Sequence, residues 1–314
     1  MNEDLNPTVT VDGLTKTFEG ATAVDHVGFN IARGEIFGVV GPDGCGKTTI
    51  LRMLAGVMEA DSGSIQVSGI DGRAEPERIK PHLSYMPQRF GLYEDLTVDE
   101  NIQFYADIFE VSKPLRQERS DKLLAASGMT RFRRFLAGQL SGGMKQKLGL
   151  TCALVHTPEL LLLDEPTTGV DPLSRREFWG ILYDLRETGV TIIISTAYLD
   201  EAERCNRLAL LHNGRLLYCD TPDALKQRMP GDLLMISSAD GRAARKAIES
   251  RPGVSRTLLV GDGLHAVVDD AAVRIPEMRR ALEEFGVQVS NIAQIRPTIE
   301  DVFVSLLESE ERHR

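Results

Sequence analysis

Apolar residues in this chain gather into short runs, and several of these lead through a glycine-rich or acidic turn into a stretch with helical spacing. Thr8–Leu14, Ala21–Ile31 and Ile36–Val40 read as strands, and Ile50–Ala55 opens a helix. Asp61–Ser64 turns into a strand at Ile65–Val67, and Leu83–Gln88 is a further short strand ending in a polar residue. Thr97-Val98-Asp99-Glu100 forms a capping box, with Val98, Ile102, Tyr105 and Phe109 at helical spacing. Helical character continues over Pro114–Ser127, pauses at Arg131–Gly138 and resumes over Met144–Val155. Leu160–Glu165 is four leucines running into two acids, which suits a parallel strand buried on both faces. After a loop at Thr168–Pro172 come a helix over Leu173–Glu187 stopped by Gly189, and a buried strand at Val190–Ser195. Leu208–Leu211 and Leu216–Cys219 pair as a hairpin across Asn213-Gly214. Strands alternating with helices predict an α/β sheet whose site lies at the strand ends.

From about Gly231 the pattern changes. Asp232–Ser237 (strand), Arg242–Ser250 (helix), a hairpin of Val254–Val260 and Leu264–Val268 across Gly261-Asp262-Gly263, a helix with Ile275, Met278, Leu282 and Phe285 on one face, and the strand Val287–Ile295 give the order βαββαβ. That order predicts a small α+β, ferredoxin-like domain. A last helix, Thr298–Leu307, buries Ile299, Val302, Phe303 and Leu306. No catalytic constellation occurs in this part, so it reads as an accessory or dimerisation domain. The expected division is 1–228 and 229–314, with a helical subdomain over about 90–155.

A length of 314 residues is consistent with two domains. Lys plus Arg number 36 against 46 Asp plus Glu, a net charge of −10, which argues against a nucleic-acid partner. Cys45, Cys152, Cys205 and Cys219 lie at no metal or disulfide spacing and fit a reducing compartment. No apolar run approaches the ~18 residues of a membrane span. The acidic start, Met1–Pro7, lacks a signal-peptide core. The chain is therefore expected in the cytoplasm, unless a partner holds it at a membrane.

Gly41-Pro42-Asp43-Gly44-Cys45-Gly46-Lys47-Thr48-Thr49 changes the picture most. It sits between a strand and a helix and fits G-x-x-x-x-G-K-[ST] from Gly41 to Thr48. Its glycines let successive N–H groups point at phosphate oxygens, and the helix start adds its own N–H groups and dipole. Lys47 is expected to reach the β- and γ-phosphates of a nucleoside triphosphate, and the Thr48 hydroxyl to bind Mg²⁺. Asp164 is placed to hold Mg²⁺ through water, and Glu165 to act as general base on the attacking water. Without a phosphate loop the same pair would be an acidic strand-to-loop junction. Ser141-Gly142-Gly143 presents N–H groups at another helix start, and taken alone it reads as a structural cap. Phe18 could stack on a base; taken alone, it reads as a core residue.

Together these pieces resemble the ATP-binding subunit of an ABC transporter, with the likeness covering residues ~8–228. Its specificity rests on the combination of the phosphate loop with Leu140-Ser141-Gly142-Gly143-Met144-Lys145-Gln146 shortly before Leu160–Glu165. Phe18, Gln88 and Asp171 fall in the order of the family's aromatic loop, Q-loop and D-loop. The tail Arg296–Phe303, with the C-terminal domain, looks like the daunorubicin-resistance type of multidrug exporter subunit. The resemblance implies a P-loop NTPase fold with an antiparallel β subdomain and a helical subdomain. It implies ATP and Mg²⁺ as ligands, with Gln88 at the metal and the reaction centre, and Asp171 and Phe18 at the nucleotide. It also implies a head-to-tail dimer, with itself or a second ATPase subunit, in which Ser141, Gly142 and Gly143 close over the partner's nucleotide. Separate transmembrane permease subunits would hold the chain at the inner face of the membrane and couple through Gln88 and Phe90–Phe109. One departure stands out. Ala197 occupies the place of the family's usual histidine, so hydrolysis is expected to be slowed. The alternative is an ATP-driven dimerisation switch, or one half of a heterodimer, with little turnover of its own. Asp43, Cys45, Met144 and Phe18 are smaller departures from the family pattern.

Overall fold

Two leucines of Leu160–Leu163 face each side of the central sheet, and each side has its own core. The computed structural model describes residues 7–261 and 263–312; the expectations for Met1–Asn6 and for Asp262 lie outside them. It divides into one unit ending at Pro222 and another beginning at Asp223.

In the first unit, β1 (Val9–Phe18), β2 (Ala21–Ile31), β3 (Ile36–Val40), α1 (Lys47–Leu54), β4 (Ser62–Val67), β5 (Ile70–Asp71), α2 (Pro76–Ile79) and β6 (Leu83–Met86) precede a helical stretch. That stretch holds α3 (Val98–Ile108), α4 (Lys113–Ala126) and α5 (Gly142–Leu154). Then come β7 (Leu160–Asp164), α6 (Pro172–Glu187), β8 (Thr191–Thr196), α7 (Leu199–Ala202), β9 (Arg207–His212) and β10 (Arg215–Asp220). The six-stranded sheet has the order β10-β9-β3-β8-β7-β6, parallel except for the β9–β10 hairpin. A second sheet, β2-β1-β4-β5, is antiparallel.

Leu160 and Leu162 join a core with Phe37, Ile193 and the α1 residues Ile50, Leu51 and Leu54; Leu161 and Leu163 join Ile192, Ile194, Phe178, Trp179 and Leu150 on the other face. All four leucines are fully buried, which at roughly 1.5–3 kcal/mol per side chain makes β7 a strongly held strand. Its C-terminal tip, where Asp164 sits, is correspondingly fixed. The helical stretch has a separate core of Val98, Ile102, Ala106, Leu124, Leu140 and Leu148. There the capping box closes α3 with both reciprocal bonds, and buried Asn101 donates to the carbonyls of Tyr93, Leu96 and Thr97.

In the second unit, entered through α8 (Pro222–Gln227), the elements are β11 (Asp232–Ser238), α9 (Gly241–Ile248), β12 (Val254–Val260), β13 (Gly263–Val268), α10 (Ala271–Glu284), β14 (Val289–Ile295) and α11 (Ile299–Arg312). The sheet order β12-β13-β11-β14, antiparallel throughout, is that of a ferredoxin-like sandwich. α9 and α10 cover the face carrying Leu234, Ile236, Leu264 and Ala266. Successive strand residues face opposite ways, so His265 lies on the other face, where its Nδ1 is 2.9 Å from Asp301 of α11.

Several expectations need correction. β1 runs on to Phe18, which pairs with Ala21 at the turn; Phe18 is 42% exposed, so the core reading fails. Phe285 does not belong to the buried face of α10: it follows the last helical residue, before Gly286 at φ +74°, and is 59% exposed. Ala281 takes the buried place beside Met278 and Leu282. Phe109 caps the end of α3, stacked on His156, while Ala106 fills the α3 face. Leu306 is half-buried rather than buried, and the strand from Leu83 ends at Met86, ahead of Gln88.

Candidate functional site

The tips of β3, β7 and β8 lie side by side, because β3 pairs with β8 and β8 with β7, with Val40 opposite Thr196 and Asp164 opposite Ser195. The phosphate loop leaves β3 and returns as α1. Gly44 and Gly46 hold φ of +78° and +104°, in the left-handed region that favours glycine. At Gly41 the constraint is space, since a Cβ there would lie 2.3 Å from the Leu211 carbonyl oxygen. Gly46 is the N-cap of α1, and Cys45 N–H donates to the Pro42 carbonyl. Cys45 is buried, and that burial pushes its thiol pKa up. Pro42, Asp43 and Gly44 are exposed, while Thr49 is half-buried.

Lys47 is buried, with Nζ donating to the carbonyls of Gly41 (2.9 Å) and Pro42 (3.1 Å) and lying 3.1 Å from Glu165 Oε1. Thr48 Oγ1 donates to Asp164 Oδ1 at 3.0 Å. Ser195 Oγ donates to the same oxygen at 2.7 Å, and the Tyr85 hydroxyl donates to Oδ2 at 3.2 Å. Burial and the Asp164 charge raise the Tyr85 pKa to about 12, which keeps that hydroxyl a donor. Glu165 follows β7 at φ +47°, a strained backbone for a non-glycine residue. Its N–H donates to the Ser195 carbonyl and Oγ, and its Oε2 accepts from Gln88 Nε2 at 3.2 Å.

Lys47, Thr48, Gln88, Asp164 and Glu165 are thus brought together. A second group forms elsewhere on the same unit. Ser141 caps α5 through an Oγ contact from Met144 N–H at 3.4 Å, and Asp171 caps α6 by accepting from Ser174 N–H at 2.9 Å. That hydrogen bond holds the Asp171 pKa below its ordinary value. The two helix starts touch: a Cβ on Gly143 would be 2.5 Å from Ser174 Cβ. No hydrogen bond among the described residues joins Ser141, Gly142, Gly143 or Asp171 to the phosphate loop. Phe18, at the β1–β2 turn, has Lys16 Nζ 5.6 Å from its ring centroid. Ala197 is exposed beyond the tip of β8.

Sequence reading missed Tyr85 and Ser195, both on Asp164, and Ser174 against Gly143. Strand order supplies the first two, and helix packing the third. The donor set suits a hard divalent cation: Thr48 and Asp164 offer oxygen only, and they converge. No group of three or more His, Cys, Asp or Glu is arranged to hold a metal ion among the described residues. An ion here would therefore rely on phosphate and water oxygens for its other positions, as Mg²⁺ does.

A profile of the ABC transporter family matches residues 24–168. The chain is 44% identical over 305 residues to the probable multidrug ABC transporter ATP-binding protein YbhF of Escherichia coli K12, covering 95% of this chain and 52% of that protein. The chain thus spans about half the length of that relative and of its Shigella flexneri counterpart. It is 32% identical to the daunorubicin resistance ATP-binding protein DrrA3 of Streptomyces coeruleorubidus, covering 97% of each. Among solved structures, a dimeric ATP-binding cassette in a post-hydrolysis state, bound to ADP and Pi, superposes with a TM-score of 0.62 at 25% identity, covering 68% of this chain and 98% of that one. By these likenesses, and by the geometry of its strand tips, the chain belongs to the family of ATP-binding subunits of ABC transporters.

Proposed function

We propose that this chain binds and hydrolyses ATP and couples the cycle to efflux of drug-like compounds through separate transmembrane permease subunits. The observation that carries the hydrolytic reading is the convergence of Lys47, Thr48, Asp164, Glu165 and Gln88, which end or follow β3, β7 and β6 of one sheet. The export reading draws on the relatives named for multidrug transport and daunorubicin resistance.

In this reading the N–H groups from Gly44 to Thr49 receive the phosphates, and Lys47 turns from Glu165 to the β- and γ-phosphates. Thr48 and Asp164 hold Mg²⁺, which would offset phosphate charge. Ser195 and Tyr85 fix the Asp164 carboxylate by donating to both of its oxygens. Glu165, oriented by Gln88 and by the bonds to its own N–H, takes the proton from the attacking water. Phe18, exposed at the β1–β2 turn, offers its ring to the base. Ser141, Gly142 and Gly143 act in trans, on the nucleotide of a head-to-tail partner that also meets Asp171. The dimeric cassette among the structural neighbours supports this. No helix among the described residues is long and apolar enough to cross a membrane, which fits a permease carried on other subunits. In this reading the chain works at the inner face of the cell membrane, and its C-terminal unit has an accessory role.

Ala197 favours a second reading, in which the chain is a dimerisation switch or the weak half of a heterodimer. Sedimentation of Glu165→Gln with Mg-ATP tests the head-to-tail dimer. ATP-dependent dimers that Ser141→Ala weakens are expected, and a monomer at saturating ATP would contradict the arrangement. Loss of turnover in Glu165→Gln tests hydrolysis itself.

A further inference from the structure

The loop bearing Ala197 is held from beneath by Glu201 of α7, a side chain with no solvent exposure. One carboxylate oxygen accepts from the Thr167 hydroxyl at 2.7 Å and the other from the Thr196 hydroxyl at 2.9 Å. Thr196 Oγ1 accepts in turn from Tyr198 N–H at 2.9 Å, closing a tight turn around Ala197. Arg175 of α6 places Nε 3.6 Å from Glu201 and its guanidinium 4.3 Å from the centre of the Tyr198 ring. A fully buried glutamate is uncommon and needs partners. Here they come from the segment after β7, the tip of β8, and α6.

The strand tip so held also carries the proposed reaction centre. Thr196 accepts Gly41 N–H on its carbonyl at 3.3 Å, and Ser195 accepts Glu165 N–H and donates to Asp164. Buried polar networks of this kind rigidify the elements they join. We propose that Glu201 is a positioning residue: by holding Thr196 and Thr167 it fixes the tip of β8 against the segment leaving β7. It thereby sets Gly41, Asp164 and Glu165 in register with one another. The proposal rests on the hydrolase reading above.

Glu201→Gln keeps the side chain's shape but removes the charge facing Arg175 and makes one threonine hydroxyl reverse its role. Thr196→Val removes one arm of the clamp. The test is turnover of the purified chain against Mg-ATP concentration, with backbone amide exchange read by mass spectrometry over residues 163–170 and 194–201. Both variants should lose about 10²-fold in kcat, the scale of a misplaced reacting group. KM should change by less than about threefold, because the contact acts on the transition state rather than on binding. Exchange should quicken in those two segments and nowhere else. Unchanged kcat and exchange would overturn the proposal, and so would a parallel loss of kcat, ATP affinity and global melting temperature, the mark of a purely structural role. If the wild type turns over no faster than Glu165→Gln, the hydrolase reading fails separately and exchange decides the clamp: local quickening supports it, and no change overturns it.

Discussion

Gly143→Ala is the substitution on which local preference and packing disagree. Gly143 is the second residue of α5, where alanine would ordinarily help: in a helix interior it is favoured over glycine by about 1 kcal/mol, and less near the start. Packing acts against it. The added Cβ would lie 2.5 Å from Ser174 Cβ and 2.6 Å from its Oγ, and Ser174 is fixed in the first turn of α6 by the Asp171 cap. Reaching ordinary contact requires the two helix starts to part by roughly 1 Å, and overpacking of this kind costs about 1–3 kcal/mol. The net effect should be destabilising, with the melting temperature falling by about 2–4 °C per kcal/mol in a unit of this size. Ser174→Gly removes the obstructing atoms yet keeps the N–H that Asp171 accepts. The double variant should therefore recover most of the loss, giving a coupling of about 1 kcal/mol or more in a denaturant double-mutant cycle. A neutral or stabilising Gly143→Ala, or a double variant that merely adds the two single effects, would refute the packing account.

Other expectations can be checked independently. Lys47→Met should weaken ATP binding by about 10–100-fold, the equivalent of one charge-assisted hydrogen bond, in a titration of the purified chain; an unchanged Kd would contradict the role given to its ammonium group. Asp301 in the C-terminal unit is buried, which raises its pKa, but the Thr298 N–H and hydroxyl and the His265 contact outweigh burial and leave it below the ordinary value. Its contribution to stability should thus be complete above about pH 4 and fade as pH falls through the lower folded value. Asp301→Asn should lower stability at neutral pH by about 1–3 kcal/mol and flatten the acid limb of the melting profile; superimposable limbs would contradict this.

Much of the fold was legible because the signals are local. The Leu160–Leu163 run, the Asn213-Gly214 turn and the capping box at Thr97 each act within a few residues, and the strands and helix they predict are present. The phosphate loop was legible for the same reason. Phe18 and Phe285 misled because spacing and hydrophobicity alone do not reveal that a turn or a helix end leaves a ring exposed. The partners of Asp164 were hidden for a different reason. Tyr85 and Ser195 reach it only because β6 and β8 flank β7, and strand order is a property of the whole sheet. No local signal marks Glu201; its burial and its bonds from Thr167 and Thr196 appear only once α7 is packed against the tip of β8.

The central claim is that Glu165, without help from a histidine at position 197, still drives hydrolysis, and steady-state Mg-ATP turnover by the purified chain tests it most directly. The wild type should exceed Glu165→Gln by about 10²–10⁴-fold, the range of a positioned general base. Ala197→His should raise the wild-type rate further, by up to about 10²–10³-fold if the added side chain stabilises developing charge. A wild type that binds ATP yet turns it over no faster than Glu165→Gln would contradict the account.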